Sequence, residues 1–302
     1  MTPYEQADAA LLPEFRRHRI DVGDGPVQVL TAGEGPPLLM LHGDPQTHLC
    51  WHLIAPRLAE RYSVVLTDLR GRGESHKPGA CADHLPYSKR AMAAEQAAVM
   101  HELGHDRFGL VGHDRGGRVA RRLALDFPDR VTRLAILDIV PALDFYDAVS
   151  ADLAQDYYYF FFLTQPRPGP ERLIAGDPQG FMREILTGLS PGPVPYHDRA
   201  LSLYLQSAAS EASVSAMCEC FRAGFTIDRD HDRADRRSGR RIMCPTLVMW
   251  GTDGVAGRHF DMGEVWARWA PDLTLAPVPG GHFIPEEAPE DAFAALSDFF
   301  EQ

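Results

Sequence analysis

The stretch LVGHDRGGRV, residues 110–119, places an aspartate among glycines, directly after an apolar run and directly before a helical pattern. A strand, a sharp glycine-rich turn and a helix form the context of a nucleophile elbow, which presents one reactive side chain above a sheet. The glycines let the chain turn sharply and let strand and helix approach closely. Asp114 would lie near the helix N-terminus, where the helix dipole and free N–H groups keep a carboxylate ionised. Asp114 is therefore the candidate nucleophile, and the preceding His113 is expected to pack beneath it.

The composition is that of a globular protein with a large core. Of the 302 residues, 45% are hydrophobic and 24% are charged, which suits one large unit or two interleaved units. Thirty basic and 42 acidic residues give a formal net charge of −12, so nucleic acid is not an expected partner. A small anion is still compatible with this charge, because local arginines can outweigh the net value.

The sequence also favours a cytoplasmic location. The first residues lack the basic segment and apolar run of a signal peptide, and no apolar run reaches the roughly 18 residues that cross a bilayer. The five cysteines are odd in number and scattered along the chain, which is typical of reduced thiols. We therefore predict a cytoplasmic protein without membrane contact.

Strand and helix patterns alternate over most of the chain, which predicts parallel strands joined by helices. Residues 141–240 differ, because they contain helical and loop patterns and no clear strand. We predict an α/β fold with a mostly parallel sheet flanked by helices, formed by residues 1–140 and 241–302 and interrupted by a helical cap of residues 141–240. The predicted strands are VQVLTAG (27–33), PPLLMLHG (36–43), SVVLTDL (63–69), FGLVGH (108–113), TRLAILDIV (132–140), PTLVMWG (245–251) and LTLAPV (273–278).

A carboxylate nucleophile at the elbow predicts attack on an sp³ carbon and an ester intermediate on Asp114. The second step then needs a base that activates water, and His282, between the last strand and the closing helix, is the candidate. The backbone amides of Asp44 and Arg115 are candidate oxyanion donors. Two acids compete to orient the histidine: Asp138 follows one strand and Asp253 follows the next. Either acid gives the order nucleophile, acid, histidine found in α/β-hydrolases.

These residues lie in motifs that resemble the α/β-hydrolase superfamily, and within it the fluoroacetate (haloacetate) dehalogenases. The resemblance runs nearly end to end and includes LHGDPQTHLCWH (41–52), TDLRGRGES (67–75), GHDRGGR (112–118) and GGHFIPEEAP (280–289). It implies that Arg115 and Arg118 bind a substrate carboxylate, as the guanidinium geometry suits, and that Asp138 rather than Asp253 is the acid. It further implies a homodimer that hydrolyses a small anionic haloacid without cofactor or metal.

The sequence departs from that family around the leaving group. The family uses a histidine, a tryptophan and a tyrosine as donors to fluoride, and the matching positions read Tyr159, Phe160 and Phe221. At most one donor remains, and each lost donor can cost about 1.5–3 kcal/mol, or roughly one to two decades in rate. Chloride and bromide need less help, so we expect them to leave more readily than fluoride.

Asp44 and Trp51 lie near the predicted mouth of the pocket. The carboxylate of Asp44 stands where the family usually has an apolar or aromatic residue, and it would repel an anionic substrate unless it is paired. Trp51 is a candidate lining residue of the pocket, although packing in the core is the competing interpretation.

Two other functions remain open from the sequence. An epoxide hydrolase would use the same Asp114 nucleophile but needs cap tyrosines that protonate the opening oxygen; Tyr159 offers one hydroxyl, and Phe221 removes the usual second. A catalytically silent hydrolase-like fold that binds a small acid or a protein is the third interpretation, and the intact set of catalytic residues argues against it.

Overall fold

The fold is built around one eight-stranded sheet. In the computed structural model, which describes residues 1–302, the strand order is β1-β2-β4-β3-β5-β6-β7-β8. The pairs β1–β2 and β2–β4 are antiparallel and all other neighbours are parallel. This confirms the predicted mostly parallel sheet. The strands are β1 Arg16–Asp21, β2 Pro26–Ala32, β3 Pro37–Leu41, β4 Ser63–Thr67, β5 Phe108–His113, β6 Val131–Leu137, β7 Thr246–Gly251 and β8 Leu273–Val278.

Helices cover the sheet and form the segment between β6 and β7. None of the helices has the length and apolarity needed to cross a membrane. The first four are α1 Pro3–Leu11, α2 Ala55–Leu58, α3 Lys89–Glu102 and α4 Arg115–Asp126. Eight follow β6: α5 Ala142–Asp147, α6 Ala151–Asp156, α7 Tyr158–Phe162, α8 Gly169–Ile174, α9 Pro178–Gly188, α10 Asp198–Ala208, α11 Glu211–Phe225 and α12 Ile227–Ser238. The last four are α13 Val255–His259, α14 Met262–Ala267, α15 Ile284–Glu287 and α16 Pro289–Glu301.

The segment between β6 and β7 contains helices and loops and no strand. It packs on the elbow helix α4 through buried ion pairs. The Arg121 guanidinium of α4 donates to Asp232 of α12 at 2.7 Å, and Arg122 reaches the same carboxylate at 3.3 Å. Because these three side-chain ends are almost fully buried, losing one partner would leave an uncompensated charge. Our division into a core and a cap of residues 141–240 rests on this inserted helical segment and stays a proposal.

One strand has no counterpart in the predicted pattern. The sequence of β1, RRHRID, is charged and lacks alternating apolar residues, and the strand forms an edge of the sheet with most of its side chains exposed or half-buried. An edge strand that packs little side-chain surface needs no apolar periodicity, so the usual sequence signal is missing. Backbone hydrogen bonds to β2 hold this strand in place instead. The pairing runs from Arg16 opposite Thr31 to Asp21 opposite Pro26.

Two glycines of the elbow, Gly112 and Gly116, allow α4 to lie close to the end of β5 and to the loop after β3. A Cβ atom on Gly112 would lie 2.5 Å from the carbonyl oxygen of Gly116, and one on Gly116 would overlap the carbonyl oxygens at the end of β3, including that of His42 at 2.6 Å. The Gly116 amide donates to the His42 carbonyl at 3.1 Å. The helix α4 therefore lies directly on the loop after β3, which brings that loop to Asp114.

We expect Gly116→Ala to destabilise the fold by at least about 1–3 kcal/mol, because the new methyl group meets backbone atoms that cannot move aside. Gly188→Ala is the matched control, since a Cβ there meets no atom within 4 Å. Replacing that helical glycine should be neutral or stabilise by up to about 1 kcal/mol. Chemical denaturation measures both free energies of unfolding, and equal values for the two variants would contradict the proposed role of Gly116.

Candidate active site

The candidate nucleophile lies at a strained turn between β5 and α4. Asp114 adopts φ 47° and ψ −115°, a conformation that side chains other than glycine rarely adopt and that often marks a functional site. Its amide donates to the Leu137 carbonyl at 3.0 Å, and its side-chain Oδ2 accepts from the backbone amide of Asp44 at 2.9 Å. The elbow and the loop after β3 therefore hold the carboxylate in one orientation.

A histidine and a second carboxylate complete this arrangement. His282 Nδ1 lies 2.6 Å from Asp138 Oδ2, while its Nε2 lies 3.9 Å from Asp114 Oδ1. Asp138 is also at positive φ, 48°, and its Oδ1 accepts from the Gly251 amide at 3.1 Å. Asp253 is exposed and meets only the Gly280 amide, at 3.4 Å. The structure thus brings Asp114, His282 and Asp138 together and leaves Asp253 outside.

A second histidine supports the loop that carries the base. His113 Nε2 lies 2.8 Å from the His282 carbonyl. Because a carbonyl oxygen only accepts, Nε2 carries the proton in this hydrogen bond. Burial, together with the nearby His282, lowers the pKa of His113 to about 3, so this imidazole stays neutral. His113 therefore packs beneath the nucleophile, as expected, and also fixes the backbone of His282.

The ionisation of these groups follows from their neighbours. Burial alone would raise the pKa of Asp114, but the positive charges of His282 and Arg115 outweigh it and hold that pKa below its usual value. Burial alone would lower the pKa of His282, but the hydrogen bond and charge of Asp138 raise it, with Asp114 adding to the effect. Asp114 is therefore an anion, and the raised pKa of His282 extends its protonated form to higher pH than that of a free imidazole.

Two buried arginines lie beside the nucleophile without a carboxylate partner. The Arg115 guanidinium stacks over the Phe221 ring, 3.4 Å from its centroid, and also faces Phe160. Arg118 Nε donates to the Val140 carbonyl at 3.0 Å. The Nη2 atoms of both arginines are buried and have no hydrogen-bond partner. Buried charges without partners are costly, so this pair is suited to binding an anion.

The carboxylate of Asp44 does not repel an anion, because it is paired. The Arg72 guanidinium binds it with Nε and Nη2, the second contact being 2.8 Å. Arg72 Nη1 also donates to the Ser213 carbonyl of α11 at 2.9 Å. The sequence motif TDLRGRGES gave no reason to place Arg72 at the site, since it recurs in hydrolases of different chemistry. Its partner, an unusual carboxylate in the motif LHGDPQ, was the available signal.

A small cavity lies above Asp114, with room for about one water molecule. Its walls include Tyr159, Phe160 and Phe221, as expected for pocket residues. Burial raises the pKa of the Tyr159 hydroxyl well above its usual value, so this group stays a hydrogen-bond donor. Trp51, in contrast, is fully buried and lies outside this lining. Sequence reasoning did not identify the further lining residues Pro45, Ile185 and Met217.

Met217 could have been predicted as a lining residue from its spacing to Phe221. It stands four residues before Phe221 on α11, and residues at that spacing share one face of a helix. Ile185 on α9 and Pro45 carry no chemical signature that separates pocket from core. An apolar lining residue can therefore be predicted from sequence only when it lies one helical turn from a residue already assigned to the pocket.

The chain is similar in sequence and in fold to several known proteins. Residues 36–289 match the family model of the alpha/beta hydrolase fold. A fluoroacetate dehalogenase from Burkholderia sp. is 42% identical over 94% of this chain and 93% of its own length. A soluble epoxide hydrolase from Corynebacterium sp. (strain C12) is 31% identical over 95% of this chain and 98% of its own length. The solved structure of ALR0039 from Nostoc sp. PCC 7120 is 44% identical, with a TM-score of 0.93 and coverage of 95% and 98% of the two chains.

The chain belongs to the α/β-hydrolase family and is a hydrolase. Within that family it belongs to the haloacetate dehalogenase-like branch.

We expect Asp138→Asn to lower the pKa of His282 below its ordinary value. The hydrogen bond and negative charge of Asp138 offset the effect of burial, and an asparagine removes the charge, so that burial then favours the neutral imidazole. NMR titration measures this pKa, with the His282 signal assigned as the one lost in His282→Asn. Asp253→Asn is the matched control, and a larger shift in that variant would identify Asp253 as the orienting acid.

Proposed function

We propose that this hydrolase cleaves the carbon–halogen bond of short 2-haloacids. The observation that carries the proposal is the pair of buried arginines, Arg115 and Arg118, with unpartnered Nη2 atoms beside an ionised Asp114. A bound carboxylate would satisfy those donors and present the adjacent carbon to the nucleophile. The cavity above Asp114 is small, so a short substrate would displace less of its lining than a long one. The similarity to the Burkholderia fluoroacetate dehalogenase supports the same substrate class.

The first chemical step is substitution at the halogen-bearing carbon. Asp114 Oδ2 is held by the Asp44 amide, whereas Oδ1 accepts no hydrogen bond from the chain. Oδ1 is therefore the oxygen that attacks: its lone pair forms the C–O bond, and halide leaves with the electrons of the C–halogen bond. The product is an ester on Asp114, with Oδ2 as its carbonyl oxygen.

The second step hydrolyses this ester. Neutral His282, oriented by Asp138, accepts a proton from water as that water attacks the Asp114 Cγ atom. Negative charge develops on Oδ2, and the Asp44 amide already donates to this atom at 2.9 Å. The Arg115 amide as a second donor stays a prediction. Collapse of the tetrahedral intermediate breaks the bond between Cγ and the alkoxide oxygen. One proton of the water ends on the hydroxyl group of the released hydroxyacid, the other leaves His282 for solvent, and the Asp114 carboxylate is restored.

The walls of the cavity suggest which halides leave readily. Phe160 and Phe221 have no donor, and their rings contact the Arg115 guanidinium. Tyr159 is the one hydroxyl in the lining of the cavity. Fluoride depends most on hydrogen bonds as it departs, so we propose chloro- and bromoacids as the better substrates and fluoroacids as the poorer ones.

The second candidate function is epoxide hydrolysis, favoured by the Corynebacterium epoxide hydrolase relative and by the Tyr159 hydroxyl in the cavity. An epoxide is neutral, so it would leave Arg115 and Arg118 without a counter-charge. A cytoplasmic location and a homodimer, both expected from the sequence, stay predictions.

We expect chloride and bromide release from the corresponding haloacetates, with fluoride release from fluoroacetate slower by at least about tenfold. Asp114→Asn should abolish halide release. His282→Asn should release halide only once per site and accumulate an ester on Asp114, because alkylation does not need the base whereas hydrolysis does. Ion chromatography measures the halide, and peptide mass spectrometry locates the ester.

Continued turnover in His282→Asn would show that another group activates water. Diol formation from styrene oxide without any halide release would favour the epoxide hydrolase instead. Full activity of Asp114→Asn would disprove the nucleophile and, with it, the proposed reaction.

We expect Arg118→Met to raise the KM for chloroacetate by about tenfold to a hundredfold, because a charge-assisted hydrogen bond to the carboxylate is lost. The KM for neutral chloroacetamide should change much less. Arg172→Met, an exposed position on α8, is the matched control and should leave both values unchanged. Equal losses for the two substrates would contradict a carboxylate-binding role for Arg118.

A further inference from the structure

A cysteine lies among cations directly beside the substrate site. Lys89 Nζ lies 3.2 Å from Cys220 Sγ, and Arg115 Nη1 lies 4.0 Å from the same sulfur. Cys220 belongs to α11, one residue before Phe221 of the cavity wall. The mechanism proposed above uses neither Lys89 nor Cys220.

The space around this sulfur borders the anion site, because the two spaces share lining residues. A second small void, with room for about one water molecule, is lined by Cys220, Arg115, Asp44 and Arg72, among others. Arg115 and Asp44 line the cavity above Asp114 as well. The Arg115 guanidinium therefore separates two spaces, with Asp114 on one side and Cys220 on the other.

The charges around Cys220 leave one cation free for an anion. Arg72 is bound by Asp44, and Lys89 lies 3.4 Å from Asp228. Arg115 has no carboxylate partner, and its Nη2 is buried without any hydrogen bond. The cationic groups of Lys89 and Arg115 lie within 4.0 Å of the Cys220 sulfur, and a cysteine sulfur is intrinsically a strong nucleophile. An anionic electrophile held by Arg115 would thus meet a nucleophile on either side.

We propose that Cys220 is a second nucleophile of this site, and that anionic haloacids of high reactivity alkylate it and inactivate the enzyme. The sulfur lone pair forms an S–C bond, halide leaves with the electrons of the carbon–halogen bond, and the proton of the thiol passes to water. The product is S-carboxymethyl-Cys220 when the reagent is a haloacetate. Its carboxylate would pair with Arg115 and would therefore occupy the charge that binds the next substrate.

The other cysteines serve as internal references. Burial raises the pKa of Cys218 to about 12 and that of Cys244 to about 11, and it raises that of Cys50 well above its usual value. These thiols are poor nucleophiles at neutral pH. Cys81 is more accessible, but its sulfur donates to the Asp83 carboxylate at 2.9 Å. An anionic reagent is repelled there, whereas it is attracted at Cys220.

The test compares iodoacetate with iodoacetamide, which carry the same leaving group but differ in charge. Labelling is measured by peptide mass spectrometry in the full-length Asp114→Asn variant, so that the outcome does not depend on turnover at Asp114. We expect the ratio of the iodoacetate rate to the iodoacetamide rate to be at least about tenfold higher at Cys220 than at Cys81. Arg115→Met in the same background should reduce the ratio at Cys220 towards that at Cys81.

A separate measurement uses the protein with Asp114 intact. Iodoacetate should inactivate it, and Cys220→Ser should keep its own starting activity under the same treatment. Labelling of Cys81 with Cys220 unmodified would overturn the proposal. An equal reagent preference at the two cysteines would also overturn it, since the anion site would then have no part in the reaction. Both results would leave halide release by Asp114 unaffected and separately measurable.

Discussion

The site depends on the close contact between the elbow helix and the loop after β3. Gly112 and Gly116 permit this contact, because a side chain at either position would meet backbone oxygen atoms. The contact brings the Asp44 amide to the Asp114 carboxylate at 2.9 Å. Nucleophile and oxyanion donor belong to different strand–loop units, so their relative position is set by backbone packing rather than by flexible side chains. Such preorganisation is the main source of electrostatic stabilisation in acyl-transfer steps.

The side chains of the site are arranged as pairs of opposite buried charge, with an excess of positive charge. Asp44 and Arg72 neutralise each other, as do Asp138 and a protonated His282. Arg115 and Arg118 exceed what Asp114 alone can compensate, and no other carboxylate contacts them. The proposed anionic substrate would supply the missing negative charge. The net charge of −12 for the whole chain does not alter this, because buried charges respond to their immediate neighbours.

Most of the fold could be predicted from the sequence. All seven predicted strands are present. The five central strands β3 to β7 are parallel and largely buried, and continuous apolar runs mark such strands. The edge strand β1 was missed, because an exposed strand of charged residues has no such mark. The elbow and His282 were predicted from motif and chain order, and Asp138 was preferred over Asp253 from the family resemblance. The structure brings Asp114, His282 and Asp138 together. The distances between these side chains and their ionisation depend on contacts between segments that are far apart in the chain. The same is true of the Arg72–Asp44 pair and of the position of the Cys220 thiol beside Lys89. No local sequence pattern encodes such contacts.

The hydrogen bond from Arg72 to the Ser213 carbonyl couples the position of α11 to the Asp44 amide. The same guanidinium holds the Asp44 side chain, and the amide of Asp44 holds the nucleophile. The position of α11 is thus transmitted through one arginine to the oxyanion donor. A movement of α11 large enough to admit a substrate would release part of this restraint, and its return would restore it. Under the proposed mechanism, the Asp44 amide would be fully restrained only while α11 covers the cavity, so that the protein would be least reactive when the site is most accessible to water.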